Sequence, residues 1–148
     1  MGLRNDILDD IKMAVLNVSD LTDDRVAIGL IVPQQAGGST VSIVPEKETS
    51  DWQDGNEISR KLQLVVMAQV RVDESQSGSQ FDQLNALWDL VEAQLEDLIV
   101  NAINGKADRF QEDEGVEWEK ATLKNKNKDQ IAALGASYIV EYTRTLGT

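Results

Sequence analysis

Residues 61–73 read KLQLVVMAQVRVD, and in them Leu62, Leu64, Val66, Ala68, Val70 and Val72 fall at every second position without a break. Only an extended chain carries alternate residues on one side, so this stretch is a strand with one apolar face. Gln63, Gln69, Arg71 and Asp73 share the other side with Val65 and Met67. A long one-sided strand needs a covering layer, and the sequence supplies one directly downstream. Phe81, Leu84, Trp88, Val91, Leu95, Leu98 and Ala102 keep the i, i+3, i+4 rhythm of a helix as far as Asn104-Gly105. Ser79 and Asp82 are spaced like a capping box at its start. At about 1.5 Å per residue this helix is on the order of 35 Å long, enough to cross a small sheet. Leu64, Val66, Val70, Leu84, Trp88, Val91 and Leu95 are therefore the expected core, where strand and helix meet.

The remaining elements arrange themselves around that pair. Leu3, Ile7, Leu8, Ile11, Ala14 and Val15 alternate with Asp6, Asp9, Asp10 and Lys12 at helical spacing, which predicts an amphipathic helix over residues 3–17. RVAIGLIV reads as a strand, with Val26, Ile28, Leu30 and Val32 on one side, stopped by Pro33. TVSIVP reads as a second, short strand after a flexible connection at 34–39, and residues 46–58 read as a mobile polar loop with a turn at Asp54-Gly55. Between 106 and 130 a mobile hairpin arm is expected, with VEWEKATLK as a strand anchored by Trp118. ASYIVEYTRT alternates again and fills a last slot in the sheet. The fold class is α+β: one domain over residues 1–148, a mostly antiparallel sheet with an N-terminal helix and one long helix on one face, and a closing C-terminal strand.

Composition narrows the function. There is neither Cys nor His, which removes thiolate chemistry, the usual general base near neutral pH and the commonest metal ligand. Lys+Arg 14 against Asp+Glu 26 gives a formal net charge of -12, a surface that repels nucleic-acid phosphates and anionic lipid. The beginning of the chain, MGLRNDILDDIK, has acidic residues where a secretory signal needs an apolar run, and a cytosolic product is expected. Asp51, Asp54 and Glu57 miss the spacing of a calcium loop. AGGST lacks the Lys of a phosphate loop, and the neighbours Glu112, Asp113 and Glu114 point apart rather than converge. No catalytic residue, cofactor or metal is expected, and an interaction protein remains.

In order and in length, the helix LRNDILDDIKMAVLN, the strand ending LIVPQ, the loop before KLQLVVMAQVRVD, the helix FDQLNALWDLVEAQLEDLIVNAIN and the closing ASYIVEYTRT resemble the tail-terminator or tail-completion proteins of tailed bacteriophages. The resemblance implies a structural virion protein of the tail or neck, assembled in the host cytoplasm. It implies a homo-oligomer, a hexameric ring that caps the tail tube protein and meets the head connector or stopper protein. DNA passes through such a ring without specific binding, and no membrane is involved. Another neck or head-completion protein of the same fold is the alternative within that class. A cellular α+β adaptor or small-ligand-binding domain is the alternative outside it.

The candidate contact residues follow from charge and aromaticity. Trp52 stands in a polar loop, and tryptophans are enriched at interface hot spots. The stretch containing Glu112, Asp113 and Glu114 is acidic while Lys120, Lys124, Lys126 and Lys128 are basic, a complementarity suited to contacts between neighbours around a ring. Glu141 and Arg144 lie in the closing strand, which is expected to form, or lie beside, the edge that meets the next subunit, with Arg144 and the lysines facing that neighbour's carboxylates.

Overall fold

The computed structural model describes residues 2–52, 55–115, 117–122 and 128–145. Helix α1 (Leu3–Val15) buries Ile7, Leu8, Ile11, Ala14 and Val15, with Asp6 in its first turn and Lys12 in its last, both favourable to the helix dipole. Strands β1 (Val26–Ile28), β2 (Ser39–Trp52) and β3 (Glu57–Val72) follow, then α2 (Gln80–Val100), β4 (Arg109–Glu112), β5 (Glu117–Thr122) and β6 (Gln130–Thr145). The sheet order is β1-β2-β3-β6-β4, with β5 also on β6. Among the described residues β1 and β2 run parallel and every other pair of strands antiparallel. This is the α+β fold with a mostly antiparallel sheet that the residue pattern predicts.

The strand and helix that anchor the sequence reading also anchor the core. Leu64, Val66, Val70, Leu84, Trp88, Val91 and Leu95 are all buried. Facing them on β6 are Leu134, Ala136, Tyr138 and Val140, paired in register with Ala68, Val66, Leu64 and Leu62. β6 pairs with β3 along its whole length, and β4 and β5 cover the other side of its residues 130–135 and 138–141. Over most of residues 130–141 the last slot is therefore an interior one with β4 and β5 at the edge, whereas Tyr142–Thr145, Arg144 among them, pair with β3 on one side and with no strand on the other among the described residues. α2 lies across β3 and β6, while α1 packs on α2 and on the β1–β2 side. The start of α2 is held by Gln80, whose buried amide donates to Val70 O at 2.9 Å and to Gln130 O at 2.8 Å.

Several boundaries differ from the expectation, each for a physical reason. The strand over 25–32 ends at Ile28, because Gly29 adopts φ 116 and makes only a single reversed bridge to Ile43. A parallel pair needs a crossover, and residues 29–38 provide it by passing over the face of the sheet opposite the helices. There Ile31 exchanges hydrogen bonds with Ser42 and accepts one from Thr40, while Arg71 donates to Pro33 O at 3.1 Å. Ile28, Leu30 and Val32 consequently stay exposed rather than forming a covered face. The polar loop expected at 46–58 is instead the outer part of a β-hairpin: Lys47–Trp52 pairs with Ile58–Gln63 after a bulge at Pro45/Lys47. Asp54 lies outside the described residues, and Gly55 (φ 69) begins the return. The arm expected at 106–130 is not separate, because β4 and β5 are both edge strands of the sheet. Helix α2 ends at Val100; Ala102, Ile103 and Asn104 turn left-handed and carry Ile103 inward, where it is fully buried in place of Ala102. Leu87, not Phe81, completes the buried stripe, and the Ser79 hydroxyl accepts from Gln83 instead of capping the helix.

Candidate functional site

Side-chain alternation divides the sheet into two faces with different surroundings. The residues directly opposite one another in register share a face. On the helix side, the outer hairpin carries Glu48, Ser50 and Trp52 on β2, Ile58 and Arg60 on β3, and Tyr142 and Arg144 on β6. The rows nearest the helix layer are tied together by charge. Arg4 from α1 and Arg60 both pair with Glu48, the latter at 3.5 Å, and the Tyr142 hydroxyl donates to the same carboxylate. Burial pushes the Glu48 carboxyl up, but the hydrogen bonds from Tyr142 and Arg4 and the charges of Arg4 and Arg60 outweigh it and hold the group below its ordinary range. Burial and the bond to Glu48 push the Tyr142 phenol up. A groove of about 550 Å³ opens beside this cluster, lined in part by Arg4, Arg60, Tyr142 and Arg144. Three arginines against one carboxylate make it a cationic spot on a strongly acidic chain.

At the end of the hairpin the rows loosen. Trp52, Ile58 and Arg144 form one cross-strand row in register. Trp52 is 66% exposed, and Arg144 is exposed with no ion pair among the described residues. The row thus presents an indole to water on the strand next but one to an exposed guanidinium.

The opposite face is covered near Thr40, Ser42 and Gln69 by the 29–38 crossover, and all three are buried. Beyond that cover it opens into a depression of about 220 Å³, lined among others by Val65, Met67, Ala133, Gly135, Glu117 and Glu119, with Glu114 at its rim. Gly135 shapes the floor: a Cβ there would lie 2.8 Å from Val66 O and 3.2 Å from Met67 Cα, so only glycine lets β6 approach β3 this closely. β4 ends opposite Tyr138 and β5 begins opposite Gly135, so the chain after Glu112 leaves the pairing opposite Ala136 and Ser137 of β6 and forms a bulge there. Within it the Asp113 N–H donates to Ser137 O at 2.8 Å.

The structure brings some of the sequence-predicted residues together and separates others. Trp52 and Arg144 share a row, as above. Glu112, Asp113 and Glu114 are exposed at the bulge, on the far side of β6 from Trp52. Glu112 closes β4 opposite Tyr138, whose phenol is pushed above its ordinary range by burial first and then by Glu112, Glu92 and Glu96. Lys120 lies in β5 opposite Ala132, and Lys128 is exposed at φ 49. Lys124 and Lys126 lie outside the described residues. Glu141 pairs within the chain, its carboxylate 3.8 Å from Lys61 Nζ. Trp118 is half-exposed against Phe81 of α2, ring centroids 5.9 Å apart, so it is a helix-side packing residue. Sequence reasoning missed the Arg4–Glu48–Arg60–Tyr142 cluster, whose members are far apart in the chain. It also missed the depression, although Val65 and Met67, apolar on the otherwise polar side of β3, were its signal. Among the described residues no group of three or more acidic side chains is placed to hold a metal ion, and no helix is long and apolar enough to cross a membrane. No protein-family model and no curated protein matches the chain in sequence.

Proposed function

We propose that the protein is a structural virion component: a subunit of a hexameric ring that caps the tail tube of a tailed bacteriophage and joins it to the head connector. The observation that carries the reading is the pair of unlike surfaces on opposite faces of one sheet, the Trp52–Arg144 row and the glutamate-rimmed depression. Two different patches that cannot meet within one chain suit head-to-tail contact between copies, and such contacts close into rings when the rotation per copy divides a full turn. The order of elements, which resembles that of tail-terminator proteins, supports a place for the ring at the end of the tail. The net charge of -12 fits a wall past which DNA moves by repulsion instead of adhesion. A small-ligand-binding domain is less well supported, because the apolar depression holds only about 220 Å³ and the larger groove of about 550 Å³ is lined mainly by charged and polar groups, whereas small-molecule sites are mostly apolar. Electron microscopy and light scattering of the purified chain, alone and mixed with tail tubes, test the reading. Rings that decorate tube ends are expected, and a protein that stays monomeric at high concentration and ignores tubes overturns it.

A further inference from the structure

We infer that the ring contact itself is a plug and socket: Trp52 at the hairpin end of one copy seats in the depression above Gly135 of a second copy, and Arg144 meets the glutamates of its rim. The inference rests on the proposed ring and names its joint. Trp52 is 66% exposed at the end of a paired strand, where a polar residue would cost nothing to solvate. Tryptophans offer large contact area at low conformational cost, which is why they anchor interfaces. The socket is the right kind of partner. Its floor is apolar, from Val65, Met67 and Ala133, and Gly135 leaves it without a side chain at the centre. Its volume of about 220 Å³ suits one aromatic side chain rather than a whole ligand.

Charge fixes the orientation. Glu114, Glu117 and Glu119 line the depression on the β5 side, and none of them makes an ion pair among the described residues. The face of the hairpin that carries Trp52 also carries Arg144, with Arg60 and Arg4 behind it, against Glu48 alone among the described residues. An arginine two cross-strand positions from the indole therefore arrives over carboxylates when the indole enters the hollow. Plug and socket lie on opposite faces, so the contact uses unlike surfaces and repeats in one direction, leaving each copy one plug and one socket to offer.

The test uses the full chain and four variants, Trp52→Ala, Arg144→Glu, Glu117→Arg and the Arg144→Glu/Glu117→Arg pair. Sedimentation velocity over a concentration series reads the oligomer, and thermal unfolding confirms that each subunit still folds. Trp52→Ala and each single charge reversal should raise the concentration for half-assembly at least tenfold, while the reversed pair should recover most of that loss. Rings that form in the wild type and are indifferent to Trp52→Ala, or a reversed pair no better than its singles, overturn the joint and leave the ring standing. A wild type that never assembles overturns both.

Discussion

Replacing Trp88 with alanine removes the largest side chain of α2 from the place where that helix crosses β3 and β6. Trp88 is 3% exposed, and its indole N–H donates to Glu92 at 3.1 Å, one turn along the helix. A buried tryptophan removes about 150–250 Å² from water, which at roughly 25 cal/mol per Å² is about 4–6 kcal/mol, of which alanine retains a small part. The surroundings cannot collapse fully into the space, because Leu64, Leu84, Val91 and Leu95 are held by their own strand and helix. Large-to-small core changes of this type cost about 3–5 kcal/mol. For a chain of this size each kcal/mol lowers the melting temperature by roughly 2–4 °C, so a fall of about 6–20 °C is expected. Urea unfolding of dilute protein, below the concentration at which it assembles, should show the same loss in midpoint with an unchanged slope. Trp52→Ala is the internal control: exposed as that side chain is, it should shift subunit stability by no more than about 0.5 kcal/mol. A Trp88→Ala subunit as stable as the wild type would refute the packing of α2 on the sheet.

Three further outcomes follow from named contacts. Glu48→Ala strands Arg60, whose Nε is already buried without a hydrogen-bond partner among the described residues, and should cost about 1–3 kcal/mol at neutral pH. Because the folded-state pKa of Glu48 lies below its unfolded value, that contribution is complete above the ordinary carboxylate range and fades as pH falls through the depressed value. Unfolding midpoints of wild type and variant should therefore converge as pH falls below the ordinary carboxylate range, and a gap that does not narrow in acid would contradict the assignment. Gly135→Ala drives a methyl group against two backbone atoms, 2.8 Å from Val66 O and 3.2 Å from Met67 Cα, and should destabilise by about 1–3 kcal/mol in chemical denaturation; an unchanged midpoint would remove the argument. Amides of Lys47–Trp52, on a strand with no neighbour on its outer side there, should exchange with solvent much faster than those of Leu64–Val70 and gain protection on assembly. Equal protection in free and assembled protein would count against the docking of the hairpin end.

The legible part of the fold is the part whose side chains must choose between water and the core. β3 declares itself because all six alternate residues from Leu62 to Val72 are buried, and α2 because its stripe is. The outer half of β2 was invisible for the converse reason. Glu46 to Trp52 are mostly exposed on both sides, so backbone pairing alone makes them a strand and no apolar alternation is required. In RVAIGLIV the alternation is present but misleads, because Gly29 turns the chain off the sheet after three residues and the apolar side chains beyond it remain in water. Phe81 fits the helical period yet packs sideways on Trp118, a contact that depends on where β5 lies. For the candidate surfaces, Trp52 could be singled out from its polar neighbours, and Arg144 from its strand. Their placement in one row needed the register of three strands, and the socket needed the bulge between β4 and β5.

On the proposed assembly, the overall charge and the local charge act at different ranges. A net charge of -12 makes two copies repel at a distance, which opposes indiscriminate association through the exposed Ile28, Leu30 and Val32. In low salt that repulsion is long-ranged; at about 0.1–0.15 M it is screened beyond about 8–10 Å, and within that range the individual facing charges outweigh the net charge. What then decides the approach is the sign of the facing patches. The acidic rim of Glu114, Glu117 and Glu119 meets attraction where a copy presents Arg4, Arg60 and Arg144. Those arginines surround the one hairpin that ends in an exposed indole. Like-charged surfaces elsewhere thus serve as the rejection half of specificity, and the apolar socket supplies the affinity that a handful of solvent-exposed ion pairs cannot.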